Sequence, residues 1–304
     1  MLFGLYANWQ NMTRSADIRI GISGWQYEGW EGTFYPEKLS AKKQLPFAAE
    51  HFNSIELNGS FYALQKPPSF KNWSEQTPED FVFSVKAPRF ITHIRRLKDC
   101  EGPVANFCAQ GILRLGKKLG PILWQLPPSF KFEPEVFESF FKLLPRTHKE
   151  AANVGSNHDR FMNGRTWLEV EEDRPLRHAV EIRHKSFASE EYVAILRKYD
   201  VALVVADTPQ WPRLFDITAD FMYCRLHGSE KLYSSGYTSE ALDEWAGRVL
   251  AWSRGQEVSD GDHASSKDGP KRASRDVFVY FDNDMKVRSP FDAQSLRKKI
   301  EELR

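Results

Sequence analysis

Along this chain, apolar residues gather into short runs that end abruptly in polar or charged side chains. The runs span residues 18–23, 54–58, 81–86, 122–126, 178–183, 201–206, 221–226 and 276–281. Runs of this length, rich in Val, Ile and Phe, read as strands buried on both faces, as in a parallel sheet. Helical spacing of apolar residues lies between them. It covers residues 42–51, 67–73 (opened by Pro67-Pro68), 103–119 (ending at Gly120), 133–144, 189–199, 239–252 and a closing 295–303. Proline is tolerated in a first helical turn, and glycine is a normal C-terminal stop.

Strand–helix alternation repeated eight times predicts an α/β fold, a TIM-like (β/α)8 barrel formed as one domain by residues 17–304. Residues 1–16 read as a flexible N-terminal tail, within which Met12 offers a second start. The polar stretch 146–175 reads as a long connection, and 254–275, dense in Ser, Asp and Gly, as a flexible insertion away from the chemistry. An open nucleotide-binding sheet is the competing fold, but Gly21, Gly24, Gly29 and Gly32 do not have its phosphate-loop spacing.

The 304 residues are 41% hydrophobic and 27% charged, with a formal net charge of +1. A balance this close to neutral gives no long-range attraction to nucleic acid or anionic lipid. Cys100, Cys108 and Cys224 are too few and too scattered for a disulfide scaffold or zinc ribbon, and they fit a reducing compartment. The N-terminus lacks the basic region of a signal peptide, and no apolar run is long enough to span a membrane. A cytoplasmic protein with no membrane partner is the expectation.

Strand parity places the candidate chemistry. Side chains two apart share a face, so Glu56 with Asn58, Ser84 with Lys86, Glu181 with Arg183, Arg225 with His227, and Tyr280 with Asp282 point together. With Gln125 and Asp207 they are expected to converge at the C-terminal mouth, where barrel active sites lie. Lys86, Arg183 and Arg225 suit a carboxylate or phosphate. Glu181, Glu56 and His227 are the acid–base candidates. Trp25 and Tyr27 are placed to stack on a ligand ring. The bland reading is that pairs such as Glu181–Arg183 or Asp207–Arg225 only satisfy one another. A divalent cofactor held by Glu181, Asp207, His227 and Asp282 is a further reading, opposed by the cations around it. Metalloprotease, Walker and nucleophile-elbow motifs do not occur in the sequence.

Ordered motifs along the chain resemble the DUF72 (YecE-like) family. They are Gly21-Ile-Ser-Gly-Trp25, Phe34-Tyr-Pro36, Ile55-Glu-Leu-Asn-Gly-Ser-Phe-Tyr62, Phe83-Ser-Val-Lys86 and Ile91-Thr-His93. Trp124-Gln-Leu-Pro-Pro-Ser-Phe130, Glu181-Ile-Arg-His184, Tyr223-Cys-Arg-Leu-His-Gly228 and Tyr280-Phe-Asp-Asn-Asp284 continue the series. The resemblance implies a TIM-like barrel of uncharacterised function. It also implies pocket roles for Glu56, Asn58, Tyr62, Lys86, His93, Gln125, Glu181, Arg183, Arg225, His227, Asn283 and Asp284. Ser60 replaces the usual Thr before Phe-Tyr, and Phe291-Asp-Ala stands where Asn-Ala is usual. Two function classes fit these residues. One is an enzyme using acid–base or hydrolytic chemistry on a small polar or anionic molecule. The other is a non-catalytic protein binding a metabolite or a nucleic-acid end.

Overall fold

The computed structural model describes residues 15–228, 236–282 and 287–304. Tail residues 1–14 and the expected pocket residues Asn283 and Asp284 lie outside the described residues. Eight parallel strands form a closed barrel in chain order: β1 (Ile18–Ser23), β2 (Ser54–Leu57), β3 (Val82–Lys86), β4 (Leu119–Gln125), β5 (His178–Glu181), β6 (Val201–Asp207), β7 (Phe221–Leu226) and β8 (Asp276–Phe281). β8 closes on β1 with Tyr280 opposite Gly21. This is the expected (β/α)8 architecture.

Helices fill most connections. α1 (Ala41–His51) follows β1, and α2 (Gly59–Tyr62) and α3 (Pro67–Glu75) follow β2. α4 (Glu101–Ala109) follows β3, and α5 (Pro134–Leu143) and α6 (His148–Gly155) follow β4. α7 (Glu190–Lys198), α8 (Ser239–Ser253) and α9 (Ser289–Leu303) follow β5, β7 and β8. Local chemistry sets their ends. Ser189 Oγ accepts the Tyr192 amide to start α7, with acids in its first turn and Arg197 and Lys198 in its last. α5 opens at Pro134 and buries Phe137, Phe140 and Phe141 at helical spacing.

Two sequence expectations change. The helix expected over 103–119 breaks at Gly111, whose φ of 111° is left-handed and where a Cβ would sit 2.6 Å from Pro67 Cα. Short 3-10 turns follow, so β4 begins at Leu119. The 146–175 connection contains α6, where Thr147 accepts the Glu150 amide and Glu150 accepts the Arg146 amide.

No helix separates β6 from β7. The 254–275 segment, expected as a flexible insertion, carries fixed anchors across this gap in the outer ring. Arg197 of α7 donates to Ser265 and Lys267, Arg248 of α8 pairs with Asp260, and Asp216 accepts the Ala264 and Ser265 amides. The segment therefore bridges α7 and α8 at the N-terminal end of the barrel.

Parity divides the strands as expected. Ile20, Ile22, Ile55, Trp124 and Val205 face the helices. Leu123, Ala179, Ala202, Val204, Tyr223, Phe278 and Tyr280 fill the interior. At Gly21 a Cβ would lie 1.8 Å from Ser54 O, so the β1–β2 seam admits no side chain there.

His178, on the outer face, lies between Trp124 Nε1 at 3.1 Å and Pro145 O at 2.7 Å. Burial pushes its imidazole down from 6.5 to about 3. The folded state thus binds fewer protons than the unfolded state, and stability present above pH 6.5 is lost as pH falls towards 3. The His178 contribution between pH 7 and 4 is on the order of 3 kcal/mol. Urea unfolding should show this slope, and His178→Gln should flatten it; an unchanged slope would remove His178 as its source.

Candidate active site

Arg225, the inward-facing residue near the end of β7, is the centre of the barrel mouth and is fully buried. Its Nε and Nη2 donate to Glu56 at 3.0 and 2.9 Å, a bidentate pair with the carboxylate from β2. Nη1 reaches Glu181 of β5 at 2.5 Å, and Nη2 reaches Asp282, just past β8, at 2.8 Å. Glu56 also accepts from Ser23 at 2.9 Å and from Tyr223 at 2.7 Å. One guanidinium thus holds carboxylates from three strands.

The other members stack above this arrangement. Arg183 donates to Glu181 at 2.6 Å and lies 4.3 Å from the Trp211 ring centre. His227 sets Nδ1 3.2 Å from Asp282 and Nε2 3.7 Å from Glu181, bridging the two carboxylates. Burial pushes the Glu181 carboxyl up, but Arg183 and Arg225 outweigh it and hold it well below the usual carboxylate range. Asp282 follows the same pattern: burial raises it, while Arg225, His227 and Lys86 bring it down. Both carboxylates stay ionised at neutral pH.

A cavity of about 760 Å³ opens over this floor. Trp25, Tyr27, Phe61 and Tyr62 form an aromatic wall, with Lys86, Arg89, Arg183, His93, Gln125 and Asp282 around the floor. Tyr62 is 73% exposed and stands at the rim. Asn58 Oδ1 is buried there with no hydrogen-bond partner among the described residues. Burial, reinforced by Arg89, Lys86, Arg183 and Arg96, pushes His93 down from 6.5 to about 4. The chain reaches this position through a single π-helical turn, Phe90–Ile94, followed by Arg96 and Leu97 at φ 51° and 64°. Left-handed backbone at such residues costs about 1–2 kcal/mol each.

Parity therefore brings together Glu56, Asn58, Lys86, Gln125, Glu181, Arg183, Arg225, His227 and Asp282, with Trp25, Tyr27, Tyr62 and His93 supplied by loops. Asp207 does not join them. It continues the outward parity of Val201, Leu203 and Val205, accepts from Tyr237 and Trp245 at 2.9 and 3.3 Å, and pairs with Arg213 at 2.6 Å. An Asp207–Arg225 pair is absent, and the four-residue metal set loses a member. Among the described residues no group of three or more His, Cys, Asp or Glu side chains is arranged to hold a metal ion. Arg225 also differs from expectation: it has no exposed surface with which to touch a ligand. Glu56 and Glu181 are likewise fully buried, and their oxygens are committed to the cations. Sequence reading missed Arg89, which is carried three residues past Lys86, the last inward residue of β3, and Trp211, which packs on Arg183. The Lys86-Ala-Pro-Arg89 spacing is the signal for the first; the second lies on an irregular connection that no periodicity marks.

A family model described as "Protein of unknown function DUF72" matches residues 19–304. YunF of Bacillus subtilis is 34% identical over 123 residues, which cover 39% of this chain and 43% of YunF. YecE of Escherichia coli K12 is 34% identical over 113 residues, covering 37% and 39%. The match thus spans less than half the length of these curated relatives. The crystal structure of a DUF72 family protein from Thermotoga maritima superposes with a TM-score of 0.71 at 26% identity, covering 94% of this chain and 99% of that one. A DUF72 family protein from Enterococcus faecalis gives 0.66 at 17% identity, over 93% and 95%. No described helix is long and apolar enough to cross a membrane.

Removing Arg225 would leave two buried carboxylates facing each other. Arg225→Ala is expected to cost about 3–5 kcal/mol of stability at pH 7, measured by urea unfolding. A loss under about 1 kcal/mol would mean that water or another cation replaces the guanidinium.

Proposed function

The chain belongs to the DUF72 family, and we propose that its barrel mouth binds a small anionic molecule bearing a ring or other flat apolar part, and transforms it by acid–base chemistry. The observation that carries this reading is the imbalance of the cavity floor. Lys86 and Arg89 have no ion-pair partner among the described residues, while the nearby carboxylates are turned to Arg225. Cations left unpaired beside a cavity are costly to desolvate unless a ligand anion completes them. The aromatic wall suits the remainder of the ligand.

The roles follow from access. Glu56 and Glu181 hold Arg225 in place. Asp282 reaches the cavity with His227 behind it, so this pair is the route by which a proton enters or leaves. Arg183 and Arg89 take the anion, and Asn58 and Gln125 are placed to bind neutral polar groups. One observation favours binding without turnover: Glu181 and Asp282 are both held strongly ionised, and neither sits near neutrality as a general base should.

Sulfate, which does not titrate in this range, tests the reading by calorimetry. Burial, together with Arg225, lowers Lys86 from 10.5 to about 8, so its charge disappears as pH rises through that value. Sulfate affinity is therefore expected to fall across pH 8, and Lys86→Arg to abolish that fall. Arg183→Ala should weaken binding about tenfold or more, the usual loss for one charge-assisted hydrogen bond. No sulfate binding by the wild type at pH 6 would overturn the proposal.

A further inference from the structure

Among the described residues two lysines are buried, and they are held differently. Lys118, 7% exposed, donates to Ser74 O at 2.6 Å, Thr77 O at 2.8 Å and Thr77 Oγ1 at 3.2 Å. Its three ammonium protons are satisfied, as a structural lysine requires. Lys86, 8% exposed, has no hydrogen bond or ion pair from Nζ among the described residues. The Phe61 ring lies 4.3 Å from Nζ to the centroid. Its backbone is nonetheless fixed: the Lys86 carbonyl accepts from Ser60 Oγ at 2.7 Å, within a β3 strand buried on both sides.

Among the described residues no carboxylate pairs with Lys86. Glu56, Glu181 and Asp282 all lie near enough to influence it, yet each is hydrogen-bonded to Arg225. A lysine beside a fixed cation and an aromatic face, opening into a cavity, has the environment of an amine nucleophile. We propose that Lys86 is a catalytic residue that condenses with the carbonyl carbon of an anionic aldehyde or ketone to form an imine. This rests on the anion-binding reading of the mouth and names the substrate class within it.

The lowered pKa gives Lys86 a neutral fraction of about one-tenth at pH 7, against a few in ten thousand for an ordinary lysine. The neutral Nζ lone pair attacks the carbonyl carbon, a C–N bond forms, and the C=O π pair moves to oxygen. That oxygen takes a proton while the nitrogen gives one up, yielding a carbinolamine. The carbinolamine oxygen then takes a second proton and leaves as water, as the nitrogen lone pair closes the C=N bond. No oxidant or reductant enters. Cavity water carries the nitrogen proton to the oxygen and brings the second proton from solvent, while ionised Asp282, backed by His227 at 3.2 Å, offsets the charge of the iminium cation that forms. Arg89 and Arg183 hold the anionic end, so the carbonyl is presented to Lys86 rather than to surface lysines.

Borohydride trapping with intact-mass and peptide analysis tests this, using pyruvate and dihydroxyacetone phosphate as probes. With at least one probe, the wild type is expected to gain one reduced adduct on the Lys86 peptide. Trapping should quicken as pH rises towards 8, and excess sulfate should suppress it about tenfold or more. Lys86→Arg should lose the adduct while still binding sulfate. The sulfate protection is read on the wild type, so the test stands even if that variant fails to fold. Labelling spread over exposed lysines, or no adduct from either probe while sulfate binds, would overturn the covalent role and leave the anion-binding reading intact. A wild type that neither binds sulfate nor forms the adduct would overturn both.

Discussion

Arg225 sits where three carboxylates would otherwise repel one another, two of them closed to water, and its guanidinium has the geometry to serve all of them. Arginine alone presents five donors in a rigid planar fork, so a lysine at this position would hold one partner and leave the rest unpaired. The ion cluster does not have to add stability over an apolar plug, since desolvating four charges offsets most of their attraction. What it fixes is direction. Each of Glu56, Glu181 and Asp282 has an orientation set by the same group, and through them Arg183 and His227 acquire theirs. The charge pattern of the mouth is thus one coupled unit, and Lys86 is what it leaves over.

That unit rests on uneven filling of the barrel interior. Gly21, Ala179, Ala202 and Ala206 are small, whereas Tyr223, Phe278 and Tyr280 are large and adjacent on β7 and β8. Tyr280 reaches across to Ser54 at 2.6 Å and Ser84 at 2.8 Å, and Tyr223 reaches Glu56. The aromatic pair therefore forms a platform that crosses the barrel and ends in hydroxyls pointing at the polar layer. Interior packing and mouth chemistry meet in these two phenols, each with an apolar body and a polar tip.

How much of this was legible in the sequence depends on whether a residue obeys strand periodicity. The eight strands stood out because each is an apolar run bounded by polar residues, and period two correctly grouped Glu56, Lys86, Glu181, Arg225 and Asp282. The same rule gave Asp207 an outward direction, but only with the parity counted from Val205; its position after a strand had suggested the mouth instead. The break at Gly111 was hidden because apolar spacing continues on both sides, and the obstacle, Pro67, is distant in sequence. That Arg225 is a pillar and Lys86 has no ion pair among the described residues depends on which carboxylate meets which cation across the barrel. No local pattern encodes such contacts.

The missing helix between β6 and β7 bears on the order in which the molecule assembles. In chain order β6 and β7 precede the 254–275 segment that bridges α7 and α8 over their connection, and barrel closure joins Asp17 to Asp276 across 259 positions. Loop closure over such a span is slow relative to local helix formation. A nascent chain leaving the ribosome thus carries an unroofed, strongly apolar sheet edge until its last quarter has emerged. The polar composition of 254–275 suits a segment that must stay solvated while it waits to dock.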